Sequence, residues 1–452
     1  MKMIKQKNLQ TAAIIAALIV SATLHAGETY PGYGYQPTEE EHIGEKEYSP
    51  FLDIGYPKRP LWGDTHVHTD FSTDAGMIGN RLGPEEAYRF ARGEMVVSST
   101  GVRTRLQRPL DFLVVADHAE NLGLATMIAE KNPDLLKLEF GKKIAQLVYD
   151  GKYGDAYTLW GKGMSARKDP LKGQEALTQS MWERLTAAAE EFNEPGKFTA
   201  LIGFEWTSSP GGNNLHRNVV FRDGKGEADQ VIPFSNYDSS DPEELWAWMQ
   251  AYEEKTGGRL LAIPHNGNLS NGLMFDDVTF TGKKLDRDYA ERRMRWEPVY
   301  EVTQMKGDGE AHPALSRTDE FADFETWDMG NLDLSEKKTP GMLPGEYARS
   351  GLKRGLELEA KLGVNPFKFG LVGASDTHVG LTTSENDNFF GKFTQYEPTP
   401  HRANHLCKEN KDNGAQLYSW QYITAGLTAV WAESNTRGAL FDAMQRREVY
   451  AT

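Results

Sequence analysis

The sequence predicts an α/β fold built on strands that run parallel to one another, and three observations predict it. Short apolar runs recur along the chain, each breaking off at a histidine, aspartate or glutamate. The runs are continuously apolar, as expected of strands covered on both faces by helices. Helix-start and helix-period signals lie between them, and parallel α/β barrels carry their functional residues just past the C-terminal ends of such strands. At 452 residues the chain suits one large barrel-type domain or two ordinary ones. No self-similarity at the roughly 20–50-residue periods of a solenoid is present.

In chain order, residues 1–26 read as a secretory signal, with Lys2, Lys5 and Lys7 as the basic start and Thr11 to Val20 as a short apolar run. That run is too short to span a bilayer. Cleavage is expected after Ala22 or Ala26. Residues 27–57, rich in Gly, Tyr, Pro and Glu, read as an extended arm or linker. Leu61 to Asp74 begins as a strand and ends as a loop. Alternate side chains of a strand share a face, so His66 and His68 are expected to point the same way, with Asp74 where the chain can curl back to them. Gly83-Pro84-Glu85-Glu86 marks a helix start. Leu110 to Ala116 is an apolar run ending at Asp117-His118. Residues 120–197 form a long interruption, helical at its end by the spacing of Leu177, Met181, Leu185, Ala188 and Phe192.

Phe198 to Phe204 is the next run and stops at Glu205; His216 then leads into a short strand, Val219-Val220-Phe221. Asp241 is an expected N-cap, with Pro242 in the first helical position and Glu244 completing a capping box. Leu245, Trp248 or Met249, and Tyr252 form the core face of that helix. Leu260 to Ile263 ends at Pro264-His265-Asn266, Val299 to Val302 leads to Gln304 and Lys306, and Phe369 to Ala374 ends at Ser375-Asp376-Thr377-His378. Residues 307–365 and 385–436 read as polar, irregular insertions.

Composition narrows the partners. Formal charge is −15, and removing residues 1–26, with three lysines and no acid, takes it to −18. A chain this acidic, without a basic aromatic stripe, is not expected to bind nucleic acid or an anionic membrane surface, and no stable membrane insertion is expected after cleavage. Cys407 is the single cysteine, so export brings no internal disulfide and stability must come from packing and metals. No Gly-x-Ser-x-Gly elbow and no P-loop is present.

Nine residues stand at or near the strand ends: His66, His68, Asp74, His118, Glu205, His216, His265, Asp376 and His378. Six are histidines, out of eleven in the chain, too many for independent accidents. Mixed imidazole and carboxylate donors suit zinc, manganese or iron. Asp64 and Asp117 either orient the ligand imidazoles or simply end strands. Arg217, Asn214, Asn266 and Lys306 are candidates for substrate contacts. His312 reads as a solvated loop histidine, with a leaving-group acid as its alternative, and His401, His405 and Cys407 as a spacing that only mimics a zinc site.

The motifs Asp64-Thr65-His66-Val67-His68-Thr69, Ser72-Thr73-Asp74, Ala116-Asp117-His118, Gly203-Phe204-Glu205, His216, Pro264-His265 and Ser375-Asp376-Thr377-His378 resemble the PHP superfamily, named for polymerase and histidinol phosphatase domains. The resemblance runs from about residue 58 to the end. The flanks Gly83–Gly93 and Arg446–Thr452 resemble a secreted, largely uncharacterised branch, in which the chain usually continues further; a β-rich piece is therefore expected beyond residue 452. The resemblance implies a distorted (β/α)7 barrel with long loop insertions and a trinuclear metal site. It implies His66, His68, Glu205 and Asp376 on a first metal, Glu205, His216 and His265 on a second, and Asp74, His118 and His378 on a third. Asp74 stands where many relatives have histidine. Glu205, Asp376 and His378 are the expected catalytic residues.

The expected function is a metal-dependent hydrolase of phosphoesters, mono- or diester, using a metal-activated hydroxide. Two to three divalent ions are the expected cofactors. Three such ions against three carboxylates leave roughly +3, which draws a phosphate anion despite the acidic exterior. The expected substrate is a small-molecule phosphoester or a phosphorylated glycan or lipid headgroup, met in the periplasm. The alternatives are a metallohydrolase of amide or ester bonds, and a non-catalytic metal-binding or carbohydrate-binding module.

Overall fold

Strand β1 (Leu61–Val67) is the element on which the sheet is built. In the computed structural model, which describes residues 57, 59–385 and 387–452, it pairs parallel with β2 (Phe112–Val115). The expected signal segment, and all but the last residue of the arm, lie outside the described residues. Gly63 sits opposite Phe112, and a Cβ there would come 2.4 Å from the Phe112 carbonyl oxygen, so only glycine allows the approach. The register slips between Asp64 and Val67, where two residues of β1 face one of β2. Such a bulge re-aims side chains next to functional sites, and His66 lies in it.

The other strands that frame the site follow in order: β3 (Thr199–Trp206), β4 (Arg217–Phe221), β5 (Leu260–Pro264), β6 (Val299–Gln304), β7 (Gly370–Gly373), β8 (Thr428–Val430) and β9 (Val449–Ala451). A seven-stranded sheet has the order β9-β8-β1-β2-β3-β4-β5, and β6 and β7 pair parallel in a second sheet. Single parallel bridges, His265 to Glu301 and Val67 to Thr377, join β5 to β6 and the end of β7 to β1. The result is a curled, mixed α/β sheet. It is not wholly parallel: β4 runs antiparallel to both neighbours. The link from Trp206 to Arg217 is too short for a helical crossover, which needs a dozen residues or more, so the chain turns back as a hairpin. His216 therefore stands at the start of its strand, not past the end; antiparallel direction still brings it to the same rim as the other strand ends.

Alternation explains why the runs are apolar on both faces. One row (Phe112, Val114, Ala116, Leu201, Val220, Leu261, Ile263, Val299 and Val372) joins Leu440, Phe441, Ala443 and Met444 in one core cluster. The alternate row, with Leu113, Val115, Ile202, Phe204, Val219 and Ala262, belongs to the larger core under the helices. Followed to the rim, the first row reaches His118, Glu205, His216, His265, Glu301 and Asp376 at two-residue steps.

The helices of five residues or more are α1 (Thr73–Met77), α2 (Pro84–Ala91), α3 (Leu124–Ala129), α4 (Glu139–Tyr149), α5 (Tyr153–Ser165), α6 (Glu175–Phe192), α7 (Pro242–Thr256), α8 (Arg287–Trp296), α9 (Ala348–Leu362) and α10 (Arg437–Gln445). Helix α7 starts with Pro242, and Asp241 caps it by accepting from Glu243 N, one residue earlier than a capping box requires. Its buried face is Leu245, Trp246, Met249 and Tyr252, with Trp248 only partly buried.

Two insertion readings change. The stretch 307–365 ends in the 15-residue helix α9, whose buried face is Ala348, Gly351 and Gly355. A Cβ on Gly351 would come 2.9 Å from the Phe275 ring, so small residues replace the apolar stripe that periodicity looks for. Within 385–436, Thr428–Val430 belongs to the main sheet as β8, paired antiparallel with β1. Among the described residues no helix is long and apolar enough to cross a membrane.

Candidate metal centre

The rim of the curled sheet gathers all nine predicted ligand-type residues in one cluster, eight of them buried and Asp74 half-buried. Glu205, at the end of β3, lies at its middle. Its Oε1 is 2.6 Å from His216 Nδ1 and 2.9 Å from His265 Nε2. Its Oε2 lies 2.9 Å from His118 Nδ1, 3.3 Å from His68 Nε2 and 3.8 Å from His66 Nε2, yet is buried without a well-formed hydrogen bond. Asp74 on α1 places Oδ2 2.9 Å from His378 Nε2 and 3.3 Å from His118 Nε2. Asp376 Oδ1 is 3.2 Å from His68 Nε2 and 3.4 Å from His66 Nε2.

The tautomers of His66 and His68 follow from their outer partners. His66 Nδ1 lies 3.0 Å from Glu301 Oε2, and a carboxylate accepts, so that nitrogen carries the hydrogen. His68 Nδ1 lies 2.7 Å from Ser72 Oγ, whose own hydrogen goes to Asp117 Oδ1 at 2.9 Å, so Nδ1 again donates. Both Nε2 atoms are then left with lone pairs, and they face each other across 2.9 Å. In neutral rings that arrangement is repulsive, and a proton on His66 Nε2 or a metal cation between the two relieves it. Metal-ligating histidines are held in this way by outer carboxylates and hydroxyls. Four groups place ligand atoms within 4.8 Å of one another: His66, His68 and Glu205; Glu205, His216 and His265; His68, His118 and His378; and His66, His265 and Glu301.

The electrostatics agree. Burial opposes charge on His66, but Asp376 and Glu301 outweigh it and push the imidazole up to about 10. Burial likewise opposes charge on His118, yet Glu205 and Asp74 hold it well above the usual histidine range. His68 is pushed well below that range by burial, with His378 and His118 adding to the effect, and burial takes His216 down to about 4. Burial would raise Glu205, but His118 and His216 hold it well below the carboxylate range. The cluster thus holds carboxylate anions beside imidazoles kept neutral by burial at His68 and His216, the forms that ligate a divalent cation, and such a cation would replace the protons on His66 and His118.

The open alternatives for the outer aspartates resolve differently. Asp117 accepts from Thr69 N, Thr69 Oγ1 and Ser72 Oγ, so it orients His68 through Ser72. Asp64 accepts from His66 N, Ser375 N and Thr382 Oγ1, and so ties β1 to the loop after β7 without touching an imidazole.

Of the predicted substrate residues, Lys306 reaches the cluster: its Nζ is 2.6 Å from Asp376 Oδ2. Asn266 borders it through Gln304, whose Nε2 donates to Asn266 Oδ1 and to Asp376 Oδ2, each at 2.7 Å. Both Asn266 and Asp376 are non-glycine residues at positive φ, 51° and 53°. Such strain persists where surroundings over-determine it, and Gln304 is one of the restraints. Asn214 accepts from His216 N, and its own Nδ2 is buried without a partner. Arg217 points elsewhere. It follows His216 in a strand, so it faces the other way, where it pairs with Glu297 at 3.0 Å. His312 is buried rather than solvated and faces Asp328 at 3.2 Å. His401, His405 and Cys407 do not gather as a ligand group among the described residues.

Sequence reasoning missed Glu301 and Lys392, and placed Gln304 at its strand end without a role. Glu301 had a readable signal, a carboxylate interrupting the buried run Val299-Tyr300-Glu301-Val302. Lys392 had none: it lies in the 385–436 stretch and reaches Asp376 Oδ1, 2.5 Å away, only through the tertiary fold.

Fold and cluster together define a mixed α/β protein with a buried imidazole–carboxylate centre suited to metal ions. The chain belongs to the family of proteins of unknown function DUF3604, whose profile matches residues 56–452. No curated protein matches it. Among solved structures it is similar to a two-domain protein from Bacteroides vulgatus containing a predicted PHP-like metal-dependent phosphoesterase, with a TM-score of 0.36 and 11% identity over 90% of this chain and 69% of that one.

Proposed function

We propose that the chain is a metal-dependent phosphoesterase of the PHP type. The curled sheet then corresponds to that superfamily's distorted (β/α)7 barrel, in one domain from residue 58 onward. The observation that carries the proposal is the meeting of His66, His68 and Glu205 at ligand spacing, with Glu205 Oε2 buried and without a well-formed hydrogen bond. On this reading two to three zinc, manganese or iron ions are held by His66, His68, Glu205 and Asp376, by Glu205, His216 and His265, and by Asp74, His118 and His378. Such ions lower the pKa of water to about 7 and offset charge on a phosphoryl group. The chain's part is to position: Glu301 and the Ser72–Asp117 pair hold two imidazoles in one tautomer, and Lys306, Asn266 and Asn214 border the space for an anion. Nearby hydroxyls are already engaged with ring nitrogens, Ser72 at His68, Thr207 at His118 and Ser209 at His216. The basic start and short apolar run support a secreted, periplasmic setting, with a small phosphoester or phosphorylated headgroup as substrate.

One observation favours a second reading. Ser209 Oγ lies 2.9 Å from His216 Nε2, and His216 Nδ1 lies 2.6 Å from Glu205 Oε1, the spacings of a serine–histidine–acid triad. Against it, burial holds His216 at about 4, which makes a weak base at neutral pH. Elemental analysis, with phosphomonoester, phosphodiester and acyl-ester substrates assayed side by side on wild type and Ser209→Ala, separates the two. The phosphoesterase reading expects two to three transition metals per chain, phosphoester turnover lost on chelation, and a Ser209→Ala variant near wild type. Full activity of metal-free protein, or acyl hydrolysis abolished in Ser209→Ala, overturns it.

A further inference from the structure

Asp376 is held by more positive charge than one carboxylate requires. Its Oδ2 meets Lys306 Nζ at 2.6 Å, and its Oδ1 meets Lys392 Nζ at 2.5 Å. Lys392 also donates to the Asp376 backbone carbonyl, and Gln304 Nε2 adds a second donor to Oδ2. The two lysine side chains are only 12% and 2% exposed, so both ammonium groups have lost most of their water. Neighbouring carboxylates are occupied by imidazoles: Glu205 by His216 and His265, Glu301 by His66, Asp74 by His378. A buried ammonium without a counter-anion is costly. With cations also held by the imidazole groups, the lysines would be surplus positive charge on one edge of a positive centre. An anionic guest beside Asp376 would balance that charge. The geometry describes the guest as well: two ammonium groups come from different elements, one to each oxygen of a carboxylate. A phosphoryl group offers oxygens of similar spacing and more charge, and ammonium groups are established phosphate partners.

We propose that Lys306 and Lys392 form an anion-binding pair that takes a terminal, dianionic phosphoryl group, which makes the substrate class phosphomonoesters rather than diesters. This rests on the phosphoesterase reading of the same centre. Lys306, with the greater exposure, receives the group from solvent, and Lys392 backs it from inside. A lysine that served only to tie its loop to Asp376 would not distinguish a dianion from a monoanion.

The test is calorimetric titration of the full, metal-loaded chain with inorganic phosphate, methyl phosphate and dimethyl phosphate, for wild type, Lys306→Met, Lys392→Met and Lys392→Arg. Metal content and melting temperature are checked for each. Wild type is expected to bind inorganic phosphate and methyl phosphate at least about tenfold more tightly than dimethyl phosphate. Each Lys→Met change is expected to weaken the dianions by about 10- to 100-fold, as for loss of a charged hydrogen bond, with dimethyl phosphate little affected and Lys392→Arg recovering most of the loss. Equal binding of methyl and dimethyl phosphate by wild type overturns the proposal without recourse to any variant, as does unchanged phosphate binding in both Lys→Met proteins. Lysine-dependent phosphate binding in a protein that hydrolyses no phosphoester leaves the anion pair standing and removes the hydrolytic reading. Monoester hydrolysis indifferent to both lysines does the reverse.

Discussion

Glu205→Gln is the substitution from which the cluster predicts the largest loss. The change keeps the side-chain volume and removes one negative charge from a fully buried position. Glu205 enters two of the groups with ligand spacing, one with His66 and His68 and one with His216 and His265. Removing one partner of a buried ion pair costs about 3–5 kcal/mol. At 1.4 kcal/mol per tenfold, that is roughly two to four powers of ten in metal affinity. Asp74→Asn is the comparison. One Asp74 oxygen already accepts from the backbone N–H of Ala75, and the other meets only His378 and His118, so at most one ion is affected. The assay is equilibrium dialysis against buffered Zn2+ or Mn2+ with elemental readout, followed by phosphoester turnover at saturating metal. Glu205→Gln is expected to lose metal at two positions and turnover by orders of magnitude, and Asp74→Asn to lose less of both. Near wild-type turnover in Glu205→Gln beside a dead Asp74→Asn would refute the central placement of Glu205.

Three further outcomes are expected. Glu301→Gln no longer holds the His66 tautomer by charge, so dialysis should show metal affinity reduced by about 10- to 100-fold, with fold and melting behaviour retained. Asp308 is pushed up to about 6 by burial, from an ordinary 3.8, so its folded state favours the protonated form. Its contribution to stability is therefore present below pH 3.8 and lost as pH rises through about 6. Melting curves should show Asp308→Asn gaining on wild type between pH 4 and pH 7, by about 1–2 kcal/mol after allowance for partial exposure; a constant difference across that range contradicts the assignment. Mass analysis of protein recovered from the periplasm should find the chain starting after Ala22 or Ala26, and an intact start in the cytoplasm overturns secretion.

Much of the centre was legible because the strands are buried on both faces. A run such as Leu260-Leu261-Ala262-Ile263 has no polar face, so its first polar residue marks the rim. The same rule placed Glu205 directly, and His118 and Asp376 to within one residue. Strand direction was not legible: Val219-Val220-Phe221 reads the same in either sense, and only the short link from Trp206 separates hairpin from crossover. Arg217 was legible and misread, since its neighbour His216 takes the inward face. Glu301 carried a signal in its strand but belonged to no motif. Helix α9 was hidden because its packing face is glycine and alanine. Lys392 could not be found from sequence, since its partner Asp376 lies 16 residues earlier across a loop that no local rule folds.

That loop separates what the centre holds from what it admits. His66, His118, Glu205, His216, His265 and Asp376 continue rows that are apolar beneath them, and a one-residue slip would turn each outward along with its core partners. Ligand spacing is therefore bound to the stability of the sheet. Lys392 is positioned by different contacts. His378 N donates to its carbonyl at 2.8 Å, Thr394 Oγ1 donates to Ile78 O at 2.7 Å, and Ser98 Oγ donates to Glu397 Oε2 at 2.7 Å. These fasten the loop, at the lysine and just after it, to His378 and to the segment between β1 and β2. An ammonium group pinned in this way is preorganised, and a guest anion need not order it on binding. Changes at Thr394 or Glu397 should then alter affinity for the anion while leaving the metal complement intact, whereas changes along the inward rows should disturb both.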